Sequence, residues 1–300
     1  YLYILLMRFL RLKNKFGDFN PDKILVFTIG PIILTQFIFT PYKESTIFVL
    51  EGLGRVFSSR IIIYRILKRF VIRAYKYIFR DSKAVITLNY CDAIYLTEMN
   101  ITTLDKIITI PGTGLDMPKK VINSHQFNPI YVDYVARLIS DKGFNLFVYT
   151  KVYLNKYFPD FSKNNPFRII TPQSDIDRLS QSEKYFLKKI GIKLLPYLPE
   201  PFDYYKESKA LIVPTSYAEG ISRVVLEGIF YEIPLLVSRN RGTEEILPSD
   251  YQFFISSNNP AAIANQLIKL IKNKNVCAGV LKNQKQIIEK YYSSRSSIEA

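Results

Sequence analysis

The sequence predicts an α/β protein of two doubly wound domains, and three observations lead there. Apolar, β-rich runs alternate with longer helical stretches, the series of strands restarts near residue 120, and a polar, aperiodic stretch from Pro118 to Pro129 separates the two series. Short strands that are apolar throughout, with helices between them, belong to parallel sheets covered on both faces. A chain of 300 residues that is 48% apolar can fill two such cores. The expected boundary therefore divides the chain into residues 1–119 and 120–300.

The first series contains Ile24–Thr28, Ile47–Leu50, Ala84–Leu88 and Ile107–Ile110. The opening YLYILLMRFL is apolar but too short to span a bilayer, and it has no signal-peptide cleavage site. The uncharged run from Ile24 to Tyr42 has the length of a membrane helix. Gly30-Pro31 splits it, and Thr28, Thr35, Gln36 and Thr40 are polar. It reads as strand, turn and buried helix, with a membrane span as the alternative.

Between the second and third strands, residues 58–80 predict a basic helix. From Arg55 to Lys83 there are nine Lys or Arg against one acid, Asp81. Arg65, Arg69, Arg73, Lys76 and Arg80 form one cationic stripe at helical spacing, and Ile62, Ile66, Phe70 and Tyr77 supply a broad apolar surface. Three readings stand: a core-packed helix with a solvated outer face, an anionic membrane surface, or nucleic acid. The last lacks an RNP-like strand or a recognition-helix pattern, so no nucleic acid is expected.

The second series contains Ile130–Val135, Phe167–Thr171, Ile192–Leu195, Ala210–Pro214, Pro234–Val237 and Gln252–Ile255. Helical patterns lie around Gly143–Tyr157, Ser180–Ile190, Val224–Tyr231 and Pro260–Asn273. In such sheets ligands bind beyond the carboxyl ends of the strands.

Composition removes several chemistries. Two distant cysteines, Cys91 and Cys277, and a single histidine, His125, argue against a Cys/His zinc site and against a disulfide framework. A triad hydrolase would have to rest on His125, which sits in a polar, loop-like stretch. The formal net charge of +15 points to an anionic partner.

The chemistry concentrates between Leu211 and Ile246. A strand ends at Pro214, Glu219-Gly220 follows, and a helix begins near Ser222, with Glu227 about two turns in. A helix N-terminus offers unpaired N–H groups and a partial positive charge to a diphosphate. Gly220 permits close approach of the backbone to an anion, and the two carboxylates suit sugar hydroxyls. On spacing alone, Glu219 as a helix cap and Glu227 as a surface acid read equally well.

The segment PTSYAEGISRVVLE, followed by IPLLVS and RGTEEI, resembles the signature of the GT-B glycosyltransferases of family 4. YVARLISDKG resembles that family's Arg-Leu and Lys-Gly motif, and ITIPGTGLDM the segment that opens its interdomain linker. FVLEGLGRVFSS and VITLNYCDAIYL resemble segments of a bacterial subgroup that builds capsule, lipopolysaccharide and lipid-linked glycans. The resemblance implies two Rossmann-like domains in the GT-B arrangement, a partial acceptor-side domain in residues 1–119 and a donor nucleotide-sugar domain in 120–300.

It implies a retaining transferase that needs no metal or cofactor. Its donor would be a UDP-linked sugar and its acceptor a lipid-linked or growing glycan. It would work in the cytoplasm, on the inner face of the cell membrane. Arg137 and Lys142 would hold the donor diphosphate, the backbone of Gly220, Ile221 and Ser222 would cradle it, Glu219 would meet the transferred sugar, and Glu227 the ribose. Glu244 and Glu245 read as a solvated loop pair outside the site. The family's glycine-rich loop after its first strand is absent, the final SSRSSIEA stands where a returning helix is expected, and VFTIGP offers Thr28 where many members carry a histidine. A GT-B fold without turnover, acting as a scaffold, is the alternative these departures keep open.

Overall fold

The computed structural model describes residues 21–38, 44–59, 61–112, 114–115 and 127–293. His125, the expected boundary at 119/120 and the apolar run at 1–10 lie outside them. The chain forms two compact units, one of residues 1–112 with 218–221, the other of residues 113–217 with 222–300.

In the first unit the chain runs β1 (Ile24–Phe27), α1 (Ile29–Ile38), β2 (Thr46–Leu50), α2 (Gly54–Ser58), α3 (Ile62–Arg80), β3 (Ala84–Thr87), α4 (Tyr90–Glu98) and β4 (Ile107–Thr109). The strands pair in parallel in the order β1-β2-β3-β4. The run from Ile24 is thus strand and then helix, as its punctuation predicted. Among the described residues no helix is long and apolar enough to cross a membrane.

The core of this unit forms where Phe48 and Leu50 of β2 and Val85 of β3 meet Val71, Tyr75, Ile78 and Phe79 of α3. Tyr75 and Phe79 stack at 4.7 Å between ring centroids. The basic helix starts later than its pattern suggested. Ser59 takes an extended conformation and ends α2, so α3 begins at Ile62.

The second unit has β5 (Tyr131–Val135), α5 (Phe144–Tyr157), α6 (Pro159–Asn164), β6 (Phe167–Thr171), α7 (Gln173–Arg178), α8 (Gln181–Lys189), β7 (Ile192–Pro196), α9 (Phe202–Tyr205), β8 (Ser208–Val213), α10 (Arg223–Phe230), β9 (Leu235–Ser238), α11 (Arg241–Ile246), β10 (Phe254–Ile255), α12 (Pro260–Lys272) and α13 (Lys274–Tyr291). Its parallel strands stand in the order β10-β9-β8-β5-β6-β7. The chain winds outward from β5 to β7, returns to β8, and winds outward the other way. This is the doubly wound Rossmann order, and its reversal lies between β5 and β8.

Two elements differ from expectation. RGTEEI, read as loop, is α11. Asn240 caps it by accepting from the Thr243 N–H at 3.1 Å, and the Thr243 hydroxyl accepts from the Asn240 N–H at 3.0 Å. A reciprocal cap of this kind supplies a short helix with the end partners it lacks. The second is α13, an 18-residue helix that the sequence reading did not mark.

The centre of this unit holds a buried ion pair. Arg168 of β6 faces its register partner Asp133 of β5 and donates to both carboxylate oxygens, at 2.9 and 2.8 Å. Its remaining donors reach Glu207 Oε2 at 2.7 Å and the Tyr204 carbonyl at 2.8 Å, and Ser208 donates to Asp133. Every polar edge of the pair is met, the condition under which burying it is tolerable.

Candidate functional site

At the switch point between β5 and β8, two sequence motifs meet. β5 ends at Val135, and the chain continues through Arg137 into a 3-10 turn, Ser140–Lys142, closed by Gly143. β8 ends at Val213 and leads into Pro214-Thr215-Ser216. The two loops are stitched at one carbonyl. Asp141 O accepts from the Ser216 N–H at 2.8 Å, the Thr215 hydroxyl at 3.2 Å and the Ser216 hydroxyl at 3.3 Å.

Gly143 explains why the Lys-Gly pair is needed there. Its φ is +76°, and a Cβ would stand 2.2 Å from the Pro214 carbonyl oxygen. Only glycine allows both the turn and the contact.

The turn presents cations. Arg137 is exposed, and its carbonyl accepts from the Tyr134 hydroxyl at 2.8 Å. Lys142 is half-buried, its Nζ 5.6 Å from the centroid of the Tyr217 ring. Burial, helped by the nearby Arg137 charge, holds the Lys142 ammonium down to about 8. Two cations in reach of each other at the carboxyl end of a central strand suit an anionic ligand.

The chain that leaves β8 leads on to α10. Its N-cap, Ser222, is buried, and the helix has neither a side-chain cap nor an acid in its first turn. The first N–H groups of a helix have no partner within it, so this end is disposed toward an anion.

Glu227 is 6% exposed and not the surface acid that spacing alone allowed. The Tyr205 hydroxyl donates to its Oε2 at 2.7 Å, and Arg223 Nε lies 3.4 Å from Oε1. Burial raises its carboxyl above the usual range, opposed by Tyr205 and Arg223. Tyr197, exposed and following β7, feels both Glu227 and Arg137. Arg137, Lys142, Ser222 and Glu227 all belong to the second unit; the Lys142 charge feels Arg137, and Tyr197 feels both Arg137 and Glu227.

Glu219, Gly220 and Ile221 are counted with the first unit. The Gly220 N–H donates to Glu51 O at 2.9 Å, its carbonyl accepts from Asn89 Nδ2 at 2.8 Å, and Gly54 N–H donates to Ala218 O at 3.0 Å. Both peptide groups next to Glu219 are thereby fixed. A Cβ on Gly220 would stand 2.6 Å from Glu51 O, so close packing on protein accounts for this glycine. In this conformation its N–H is committed to Glu51 rather than open to a phosphate. Thr28 stands at the end of β1 with φ +67°, a backbone region β-branched residues rarely enter.

Sequence reasoning missed Tyr205 and Tyr197, and it quoted Asn89 in a motif without giving it a role. No spacing motif marks the tyrosines. Asn89 carried a visible signal as the N-cap of α4, where it accepts from Asp92 N–H, and its second bond is what the sequence does not show. Glu244 pairs with Arg239 at 3.1 Å, outside this constellation. A cavity of about 810 Å³ opens at the amino ends of β8 and β9, lined in part by Ser208, Lys209, Tyr231 and Pro234. None of the predicted site residues lines it.

Comparison with known proteins gives a family and a fold. Residues 119–292 match the family described as Glycosyl transferases group 1. An uncharacterized glycosyltransferase of Haemophilus influenzae is 24% identical over 243 residues, covering 76% of this chain and 67% of the relative. Among solved structures, Anabaena HepE in complex with UDP superimposes with a TM-score of 0.68 at 11% identity, covering 97% of this chain and 79% of that one. Sucrose-phosphate synthase of Thermosynechococcus elongatus gives a TM-score of 0.70 at 13% identity, covering 96% and 74%. At such identities the likeness is one of fold.

Proposed function

The chain belongs to the glycosyl transferases group 1 family and is a glycosyltransferase, and from that premise we propose that it moves a sugar, with retention of configuration, from a UDP-linked donor to a lipid-linked or growing surface glycan. The observation that carries the donor half is the stitching of the Arg137–Gly143 turn to the Pro214–Ser216 loop at the β5/β8 switch point. The UDP and UDP-glucose bound in the structures of Anabaena HepE support the choice of base. The family and the resemblance to capsule and lipid-linked glycan enzymes support the acceptor, which would be met at the inner face of the cell membrane.

In this reading Arg137 and Lys142 bind the diphosphate. The first N–H groups of α10, beginning at Ser222, share its charge, with Ile221 leading into them. Glu227 accepts from the ribose hydroxyls with the oxygen lone pairs that Tyr205 and Arg223 leave, since a carboxylate has about four such sites. Glu219 keeps the role of holding the transferred sugar near its reacting carbon.

The bond from the anomeric carbon to the phosphate oxygen breaks, and the electron pair leaves with the diphosphate. The acceptor hydroxyl attacks on the same face, and its proton passes to the departing phosphate oxygen. Cations and dipoles aimed at the leaving group stabilise the charge that develops, so the reaction as proposed needs no metal.

Transfer and donor hydrolysis measured on Glu219→Ala, Arg137→Ala and Lys142→Ala test the assignment. A loss of kcat/KM of about a hundredfold or more is expected for each, the size seen when one charge-stabilising donor is removed. Unchanged rates in all three would overturn it.

A further inference from the structure

α3 has two apolar faces where a surface helix needs one. Val71, Tyr75, Ile78 and Phe79 are buried in the core of the first unit. A second set is exposed: Ile62 at 68%, Ile63 at 62%, Ile66 at 46% and Phe70 at 60%. With about 100° per residue, Ile62, Ile66 and Phe70 lie on the side opposite Tyr75. Arg65, Arg69 and Lys76 run along one edge of that strip, Arg73 and Arg80 overlap its border, and the helix contains no acid.

A merely solvated outer face would place polar groups where these isoleucines and the phenylalanine stand. Nucleic acid offers phosphates for the cations and nothing for Ile62, Ile63 and Ile66. An anionic bilayer answers both halves of the face, since its phosphates meet the arginines and its acyl boundary takes the apolar side chains.

We propose that α3 docks the protein on an anionic lipid leaflet, with Ile62, Ile63, Ile66 and Phe70 inserted and the cationic stripe on the headgroups. The exposed isoleucines and Phe70 occupy the first half of the helix, so that half enters deeper and Tyr77, 54% exposed, stays nearer the headgroups. This names the partner surface for the acceptor chemistry proposed above and rests on that reading only for the place where transfer occurs.

The chain has no tryptophan, so a single one reports its own surroundings. Phe70→Trp, Tyr77→Trp and, as a control on α8, Tyr185→Trp are titrated with vesicles of phosphatidylglycerol and phosphatidylcholine, and with phosphatidylcholine alone. The expected result is a blue shift and shielding from aqueous quencher at Phe70→Trp, a smaller shift at Tyr77→Trp and none at Tyr185→Trp, all requiring the anionic lipid. Arg69→Gln with Arg73→Gln should weaken partitioning about thirty-fold at low salt, from roughly one leaflet attraction per cation.

The proposal fails if Phe70→Trp is unchanged by anionic vesicles, if the double arginine variant partitions like the parent, or if the shift instead follows duplex DNA or protein concentration. Calorimetric titration with UDP on the same samples separates the two readings. Insertion without UDP binding overturns the donor site and leaves the docking surface standing, and the converse overturns only the docking surface.

Discussion

Burial and the Arg137 charge hold Lys142 well below the ordinary lysine range, at about 8, and this gives the proposed donor site a pH signature. The unfolded chain keeps that proton to a higher pH than the folded one does. The folded state is therefore penalised by the buried charge below about 8 and recovers stability as pH rises toward the unfolded value. Binding runs the other way. A diphosphate favours charged Lys142, so above pH 8 UDP must bring a proton with it, and its affinity should fall by up to about tenfold per pH unit. Calorimetric titration across this range should show that fall in the parent and its absence in Lys142→Met. Glu227 separates binding from folding in a similar way. Glu227→Gln keeps an acceptor for the Tyr205 hydroxyl and should lose UDP affinity with little change in stability. Glu227→Ala also strands a buried hydroxyl and should unfold about 1–3 kcal/mol more easily in denaturant titration.

At the scale of elements, the sheet of the second unit depends on the Asp133–Arg168 pair and the site depends on one glycine. Asp133→Ala leaves the buried Arg168 with only the more exposed Glu207 as counter-charge, and urea titration should show a loss of up to about 3–5 kcal/mol. Gly143→Ala forces a Cβ toward the Pro214 carbonyl in a left-handed turn. It should weaken UDP binding more than it weakens the fold, because it pushes apart the two loops that Asp141 O joins. The ten strands of the described residues were legible in the sequence because each is a short, mostly apolar run with a helix or a turn signal beside it, and that pattern survives without knowledge of partners. α11 was not, because the reciprocal cap of Asn240 and Thr243 outweighs a local composition that resembles a loop. The second apolar face of α3 was visible as residues but not as a face. Periodicity shows that a helix has two apolar stripes and does not say which one the core takes. Arg137, Lys142 and Glu227 were named through the resemblance of their motifs to the family's rather than through spacing. Tyr205 was not, since its tie to Glu227 depends on the packing of α9 against α10 rather than on distance along the chain.

For the whole molecule, two ligands should protect two different regions. UDP in hundredfold excess over its dissociation constant adds about 2.7 kcal/mol to the state that binds it. Hydrogen exchange should then slow at the Arg137–Gly143 turn, the Pro214–Ser216 loop and the start of α10 while leaving α3 unchanged. Anionic vesicles should do the reverse, and one pattern for both ligands would contradict the assignments. The membership of residues 218–221 has a different kind of consequence. Four residues from the middle of the later sequence are held by Glu51, Gly54 and Asn89 and count with the first 112. A chimaera that joins the opening 112 residues of one relative to the remainder of another would divide that grip between two parents. Positions 51, 54, 89 and 220 should therefore be inherited as a set, and the piece of gene that can be exchanged without damage is not the piece of chain that folds together.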